Sequence, residues 1–152
     1  YLLSESRLGL KLDSCFIPEN SYNIILEQSL VEDLYAFLVD EKCLQKDDDT
    51  ERDFKLLFNN SVFKRNTNPI RWIKTTEKSQ MTSNITLRTL FLVLGEKTKK
   101  NLLDQEHRRY YESLFIGKNG KNISLEDKTN KDNKVSQSLR FFLSQLQSIL
   151  KL

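Results

Sequence analysis

The chain is short of the residues that make tight turns: 152 residues hold only four glycines and two prolines. All-β sandwiches and barrels need many such turns, so that class is disfavoured. Long apolar runs are also missing. The longest, Leu90 to Leu94, falls far below the roughly 20 residues a membrane-crossing helix requires, and no membrane contact is expected. Cysteine is scarce. Cys15 and Cys43 lack the short spacing of a zinc or redox pair. A disulfide between them would need an oxidising compartment; the reading adopted is two reduced, partly buried thiols in a cytoplasmic protein. His107 is the single histidine. With two distant cysteines it makes neither a usual zinc set nor a nucleophile–histidine–acid triad, and it is expected on a helix surface.

What remains suffices for a core. Hydrophobic residues make up 38% and charged residues 30%, a globular and not a disordered balance. The length fits one domain able to fold without metal or disulfide. Residue 1 is Tyr1, with no signal-peptide pattern after it, so residues 1–152 are read as a single helical domain belonging to a longer or processed chain.

Periodicity gives a mainly α fold of about five helices with one or two short strands. Leu8, Leu10 and Leu12 alternate with polar neighbours and predict a strand. Leu30, Val31, Leu34, Tyr35, Phe37 and Leu38 predict a helix over 28–44, with Ser29 as N-cap and Glu32 completing a capping box. Residues 45–50 read as a charged loop. A short helix carrying Phe54, Leu57 and Phe58 follows, ended by Asn59 and Asn60. Asn66 to Pro69 reads as a turn, and Ile70 to Lys74 as a short strand. Ile85, Leu87, Leu90, Phe91, Val93 and Leu94 predict a central helix over 84–94, capped by Gly95. A further helix is expected over 98–116, ended by Gly117, then a long polar loop over 117–134, and a closing helix over 135–152.

Candidate chemistry is thin. Asp47, Asp48 and Asp49 lack the spaced oxygens and the glycine of a calcium loop, and a solvated loop capping the next helix at Thr50 explains them. Gly117-Lys118-Asn119-Gly120-Lys121 lacks the Gly-Lys-Ser/Thr ending and preceding strand of a nucleotide-binding loop, so nucleotide binding is rejected. No metal site, cofactor or catalytic constellation is expected.

Charge is unevenly spread. Residues 1–63 carry 6 basic and 13 acidic side chains, net −7, whereas residues 64–100 carry 9 basic and 2 acidic, net +7. Lys64, Arg65, Arg71, Lys74, Lys78 and Arg88 fall in that basic block, beside Asn66, Asn68 and Trp72. Arg and Lys suit phosphate contacts, while Asn and an exposed aromatic can add contacts to bases. Two readings stay open: a nucleic-acid surface, or a block neutralised by the acidic first third. Trp72 is open to two readings, a stacking platform or the core position that a lone tryptophan more often takes.

The run Gln28-Ser29-Leu30-Val31-Glu32-Asp33-Leu34-Tyr35 resembles a helix of DGQHR-type, DndB-like proteins, relatives of the ParB nuclease-like superfamily found in bacterial DNA modification and defence systems. Phe54-Lys55-Leu56-Leu57-Phe58-Asn59 with Ser61-Val62-Phe63 resembles their second helix, and Met81 to Phe91 the start of their next one. The likeness spans about residues 22–150, the helical C-terminal half only; the Asp-Gly-Gln-His-Arg motif is absent. It implies a non-enzymatic, DNA-associated domain contacting its partner through Lys64–Arg88. The alternative is a protein-interaction module docking other subunits through the acidic helix 28–44 or the closing helix.

Overall fold

The computed structural model describes residues 24–58, 69–76, 82–126 and 137–152. Five α-helices and two short strands follow one another there: α1 (Gln28–Asp40), α2 (Asp48–Leu56), β1 (Ile70–Trp72), α3 (Asn84–Thr98), α4 (Gln105–Glu112), β2 (Phe115–Gly117) and α5 (Gln137–Ile149). The chain is thus mainly α-helical with short strands, as the periodicity predicts. The strand expected around Leu8–Leu12 and the helix stop expected at Asn59 and Asn60 lie outside the described residues.

α1 buries Leu30, Val31, Leu34, Tyr35 and Leu38 along one stripe and lays it against α2 and α5. Each fully buried leucine there contributes about 1.5–3 kcal/mol relative to exposure. The capping box is not formed. Glu27 is the N-cap, and its carbonyl accepts the amides of Leu30 and Val31 at 3.0 and 3.1 Å, so Ser29 already lies inside the first turn. The aspartate run also moves. Asp47 is the N-cap of α2, its carboxylate accepting the Thr50 amide at 2.7 Å. Asp48 and Asp49 belong to the first turn, where negative charge suits the helix dipole.

α3 is the central element, with Leu87, Leu90, Phe91, Val93 and Leu94 buried. Its two buried threonines are satisfied: Thr86 Oγ1 donates to Ser83 O at 2.9 Å and Thr89 Oγ1 to Ile85 O at 2.7 Å. Gly95 is not the cap. The helix runs on to Thr98 and turns at Lys99, whose φ is 59°. Gly95 is instead a point of close approach, since a Cβ on it would lie 2.6 Å from the Lys100 carbonyl oxygen.

α1 and α5 end the same way. Lys42 (φ 60°) and Lys151 (φ 59°) adopt the left-handed conformation usually left to glycine. Cys43 N donates back to Leu38 O at 2.8 Å, Lys100 N to Gly95 O at 3.0 Å and Leu152 N to Gln147 O at 2.8 Å, tying up carbonyls that the helix ends leave unpaired.

The single helix expected over 98–116 is broken. The Asn101 side chain accepts the Leu103 amide at 3.1 Å, and Asp104 caps a new helix, α4, by accepting the His107 amide at 2.9 Å. Gly117 does not end that helix; it lies in β2, which pairs in parallel with β1 in the register Ile70↔Phe115, Arg71↔Ile116, Trp72↔Gly117. Nor is the whole of the following stretch a polar loop. Ile123 and Leu125 are buried, and residues 127–136 lie outside the described residues. α5 then packs mainly on α3, burying Phe142 and Leu146.

The core is one cluster. At its centre Phe91 stacks on Tyr111 at 4.6 Å between ring centroids and meets Phe115 edge-on at 5.8 Å, while Trp72 meets Phe115 edge-on at 6.3 Å.

The two kinds of backbone crowding at the end of α3 make opposite predictions. Gly95→Ala forces the Lys100 carbonyl aside and is expected to cost about 1–3 kcal/mol. Lys99→Gly relieves the left-handed penalty and is expected to be neutral or stabilising by up to about 1 kcal/mol. Urea midpoints for the two variants, measured side by side, check the pair.

Candidate nucleic-acid interface

The burial pattern of β1 is buried, half-buried, buried. Ile70 and Trp72 face the core, and Arg71 between them faces the other way. Its Nη1 donates to the carbonyls of Lys118 at 3.0 Å and Gly117 at 3.4 Å, on the turn that follows β2. That turn is seated on Thr82, whose Oγ1 accepts the Lys118 amide at 3.2 Å. A Cβ at residue 117 would collide with the same oxygen, so glycine there lets the turn settle on Thr82.

Just past β1, Ile73 N donates to Cys43 O at 2.8 Å, bringing the chain alongside the loop between α1 and α2. Lys74 Nζ donates to Glu41 O at 3.0 Å, a cation placed at the negative end of α1. Tyr35 pins the far side of the loop, its hydroxyl donating to Gln45 O at 2.8 Å. Between loop, strand and turn lies a cleft of about 560 Å³, lined by Lys42, Arg71, Lys74 and Lys118 with Gln45 and Thr75. Ile73 adds an apolar wall, and among the described residues no carboxylate lines the cleft.

Among the described residues none of these four cations makes an ion pair. The ion pairs there sit elsewhere: Asp49–Arg52 and Asp53–Arg52 at 3.3 Å, Glu51–Lys55 at 2.5 Å and Glu32–Lys55 at 4.0 Å on α1 and α2, and Arg108–Glu126 at 3.8 Å; on α4 the His107 ring lies 2.9 Å from Asp104. Among the described residues Glu32, Asp49, Glu51 and Asp53 pair with cations of α2, whereas Arg71 and Lys74 are anchored by backbone carbonyls and make no ion pair.

The residues proposed from sequence separate into three groups. Arg71 and Lys74 meet at the cleft. Arg88 does not join them, because its Nε donates to Leu125 O at 3.2 Å while Glu112 accepts the Leu125 amide at 2.6 Å. Those two side chains hold both backbone polar groups of one residue, a role in fastening the fold. Trp72 is corrected from a ligand contact to a core residue: it is 0% exposed and donates its indole N–H to Thr86 Oγ1 at 3.0 Å, leaving no ring face to a base. Lys64, Arg65, Asn66, Asn68 and Lys78 lie outside the described residues.

Lys42 and Lys118 lie outside the basic block of the sequence. Lys118 sits in the Gly-Lys-Asn-Gly-Lys run, and local sequence gives no sign that a parallel strand pair carries it to Arg71. His107 is also less exposed than expected, at 18% for its side chain, with Nδ1 2.9 Å from Asp104. Burial works against charge on Asp104, but hydrogen bonds from the His107 amide and ring outweigh it and hold the carboxyl below its ordinary value.

Among the described residues no group of three His, Cys, Asp or Glu side chains could hold a metal ion, and no helix is long and apolar enough to cross a membrane. No protein-family model, curated protein or solved structure matches the chain.

Cys43 lies directly behind the cleft as a free, wholly buried thiol. Burial pushes it from 9.0 up to about 12, with the Lys74 charge pulling the other way. A raised folded-state value favours folding fully below the unfolded-state value and loses that contribution as pH climbs through the folded one. In a Cys15→Ser background, native Cys43 is expected to resist iodoacetamide at pH 8 and to react at once in urea. The stability gap between this protein and its Cys43→Ala variant is expected to shrink between pH 9 and 12, as chemical denaturation across that range would reveal.

Proposed function

We propose that this chain is a non-enzymatic, nucleic-acid-associated helical domain that meets its partner at the cleft between β1, the α1–α2 loop and the turn after β2. One observation carries the reading: Lys42, Arg71, Lys74 and Lys118 converge on a single recess that no carboxylate of the described residues lines. Like charges gathered around one recess repel one another, and a bound anion relieves that repulsion. Phosphate is the anion that guanidinium and ammonium groups match best, through bidentate and point-charge contacts respectively. The resemblance of the helical segments to DndB-like proteins of DNA modification systems points in the same direction and agrees with a binding module in place of a catalyst.

The anchoring of Arg71 and Lys74 supports the reading further. A long cationic side chain normally loses rotamer freedom when it binds, at about 0.5–1.5 kcal/mol each. Here backbone carbonyls already hold both, so part of that ordering precedes binding.

Binding of a fluorescent oligonucleotide is expected to weaken linearly in log–log plots against salt, through counterion release. Lys42→Asn and Lys118→Ser are each expected to reduce the slope by about one while leaving the fold intact. Arg88→Ala is expected to leave the slope unchanged and to lower stability by about 1–3 kcal/mol, because it unclamps Leu125. Absence of binding at low salt, or slopes indifferent to Lys42 and Lys118, would overturn the reading.

A further inference from the structure

Resting on the nucleic-acid reading above, we infer that the cleft takes the terminal phosphate monoester of a strand, together with the nucleotide that bears it, in preference to phosphodiesters along a duplex.

Shape is the first argument. A duplex is far broader than a recess of about 560 Å³, so its backbone phosphates reach the rim and not the interior. The four cations here surround a recess. A recess is reached by a group that projects, and a strand end projects. The volume of about 560 Å³ suits one nucleotide-sized ligand.

Charge is the second. A terminal monoester carries about −1.5 to −2 at neutral pH and offers three acceptor oxygens, against one charge and two free oxygens for an internal diester. Four uncancelled cations within one small volume are better compensated by the more highly charged group.

Donor supply is the third. Nη1 of Arg71 is taken up by the Gly117 and Lys118 carbonyls. Among the described residues nothing occupies its Nε and Nη2 groups, and these lie along one edge of the guanidinium, the edge that accepts two oxygens of one phosphate. Lys74 spends one of its three N–H groups on Glu41 O, and the side-chain ammonium groups of Lys42 and Lys118 carry no described partner. Gln45 and Thr75 add neutral polar groups to the lining, suited to the sugar or base edge that follows the phosphate.

The test compares one single-stranded oligonucleotide in three forms, 5′-phosphorylated, 3′-phosphorylated and unphosphorylated, by competition anisotropy at fixed salt, with a 5′-mononucleotide as a fourth competitor. One phosphorylated form is expected to bind about tenfold or more tightly than the unphosphorylated strand. Lys118→Ser and Lys42→Asn are expected to erase most of that difference, and neither removes a described hydrogen bond made by the side chain. If the mononucleotide competes as well as the phosphorylated strand, the ligand is a free nucleotide and the strand-end assignment is overturned. If all three strands bind equally and with salt dependence, the end preference is wrong while the nucleic-acid reading stands. If none binds, that reading falls as well.

Discussion

Three residues on each of two strands organise this molecule. The parallel pairing of β1 with β2 joins segments more than forty positions apart, Ile70–Trp72 and Phe115–Gly117, and strand alternation then sorts their side chains. Trp72 and Phe115 are driven into the aromatic core around Phe91, and Arg71 is turned outward beside Lys118. A slip of one residue would exchange these faces, exposing the indole and burying the guanidinium. Core and cleft are therefore two sides of one register.

The two largest polar commitments near that register illustrate how the chain separates holding from binding. Arg88 and Glu112 satisfy both backbone groups of Leu125 and fasten the 122–126 segment over buried Ile123 and Leu125. Arg71 and Lys74 also donate to carbonyls, but each keeps further donors beside the cleft. A carbonyl accepts a hydrogen bond without cancelling a full charge, whereas a carboxylate would do both. Anchoring by carbonyls thus gives position without neutralisation, and on α2 Asp49, Glu51 and Asp53 pair with Arg52 and Lys55 instead.

Much of the helical plan was legible because it rests on periodicity. The stripes through Leu34 and Leu38, through Leu90 and Leu94, and through Phe142 and Leu146 mark α1, α3 and α5 directly. Boundaries were not, for identifiable reasons. Gly95 reads as a stop, yet its missing side chain serves a close approach of the Lys100 carbonyl, a tertiary fact. Gly117 reads as a stop for the same local reason and belongs to a strand whose partner is distant in sequence. The basic block gave two members of the cleft, Arg71 and Lys74. The other two, Lys42 and Lys118, come from the end of a helix and from a turn, and only folding brings them together. Trp72 shows the converse: proximity in sequence to cations says nothing about facing them.

The lysines at positions 42, 99 and 151 have a consequence for how the helices come to end. Glycine in the left-handed region would stop a helix by its own conformational preference, even in an excised peptide. Lysine carries no such instruction and is a fair helix former. The stops of α1, α3 and α5 are therefore written into the neighbourhood: the loop that must reach Cys43, the carbonyl that must fold onto Gly95, the Leu152 amide that must return to Gln147. Helix length in this protein is a property of the assembled whole, and the corner that carries Lys42 to the cleft exists only once α1, β1 and the loop between them have met.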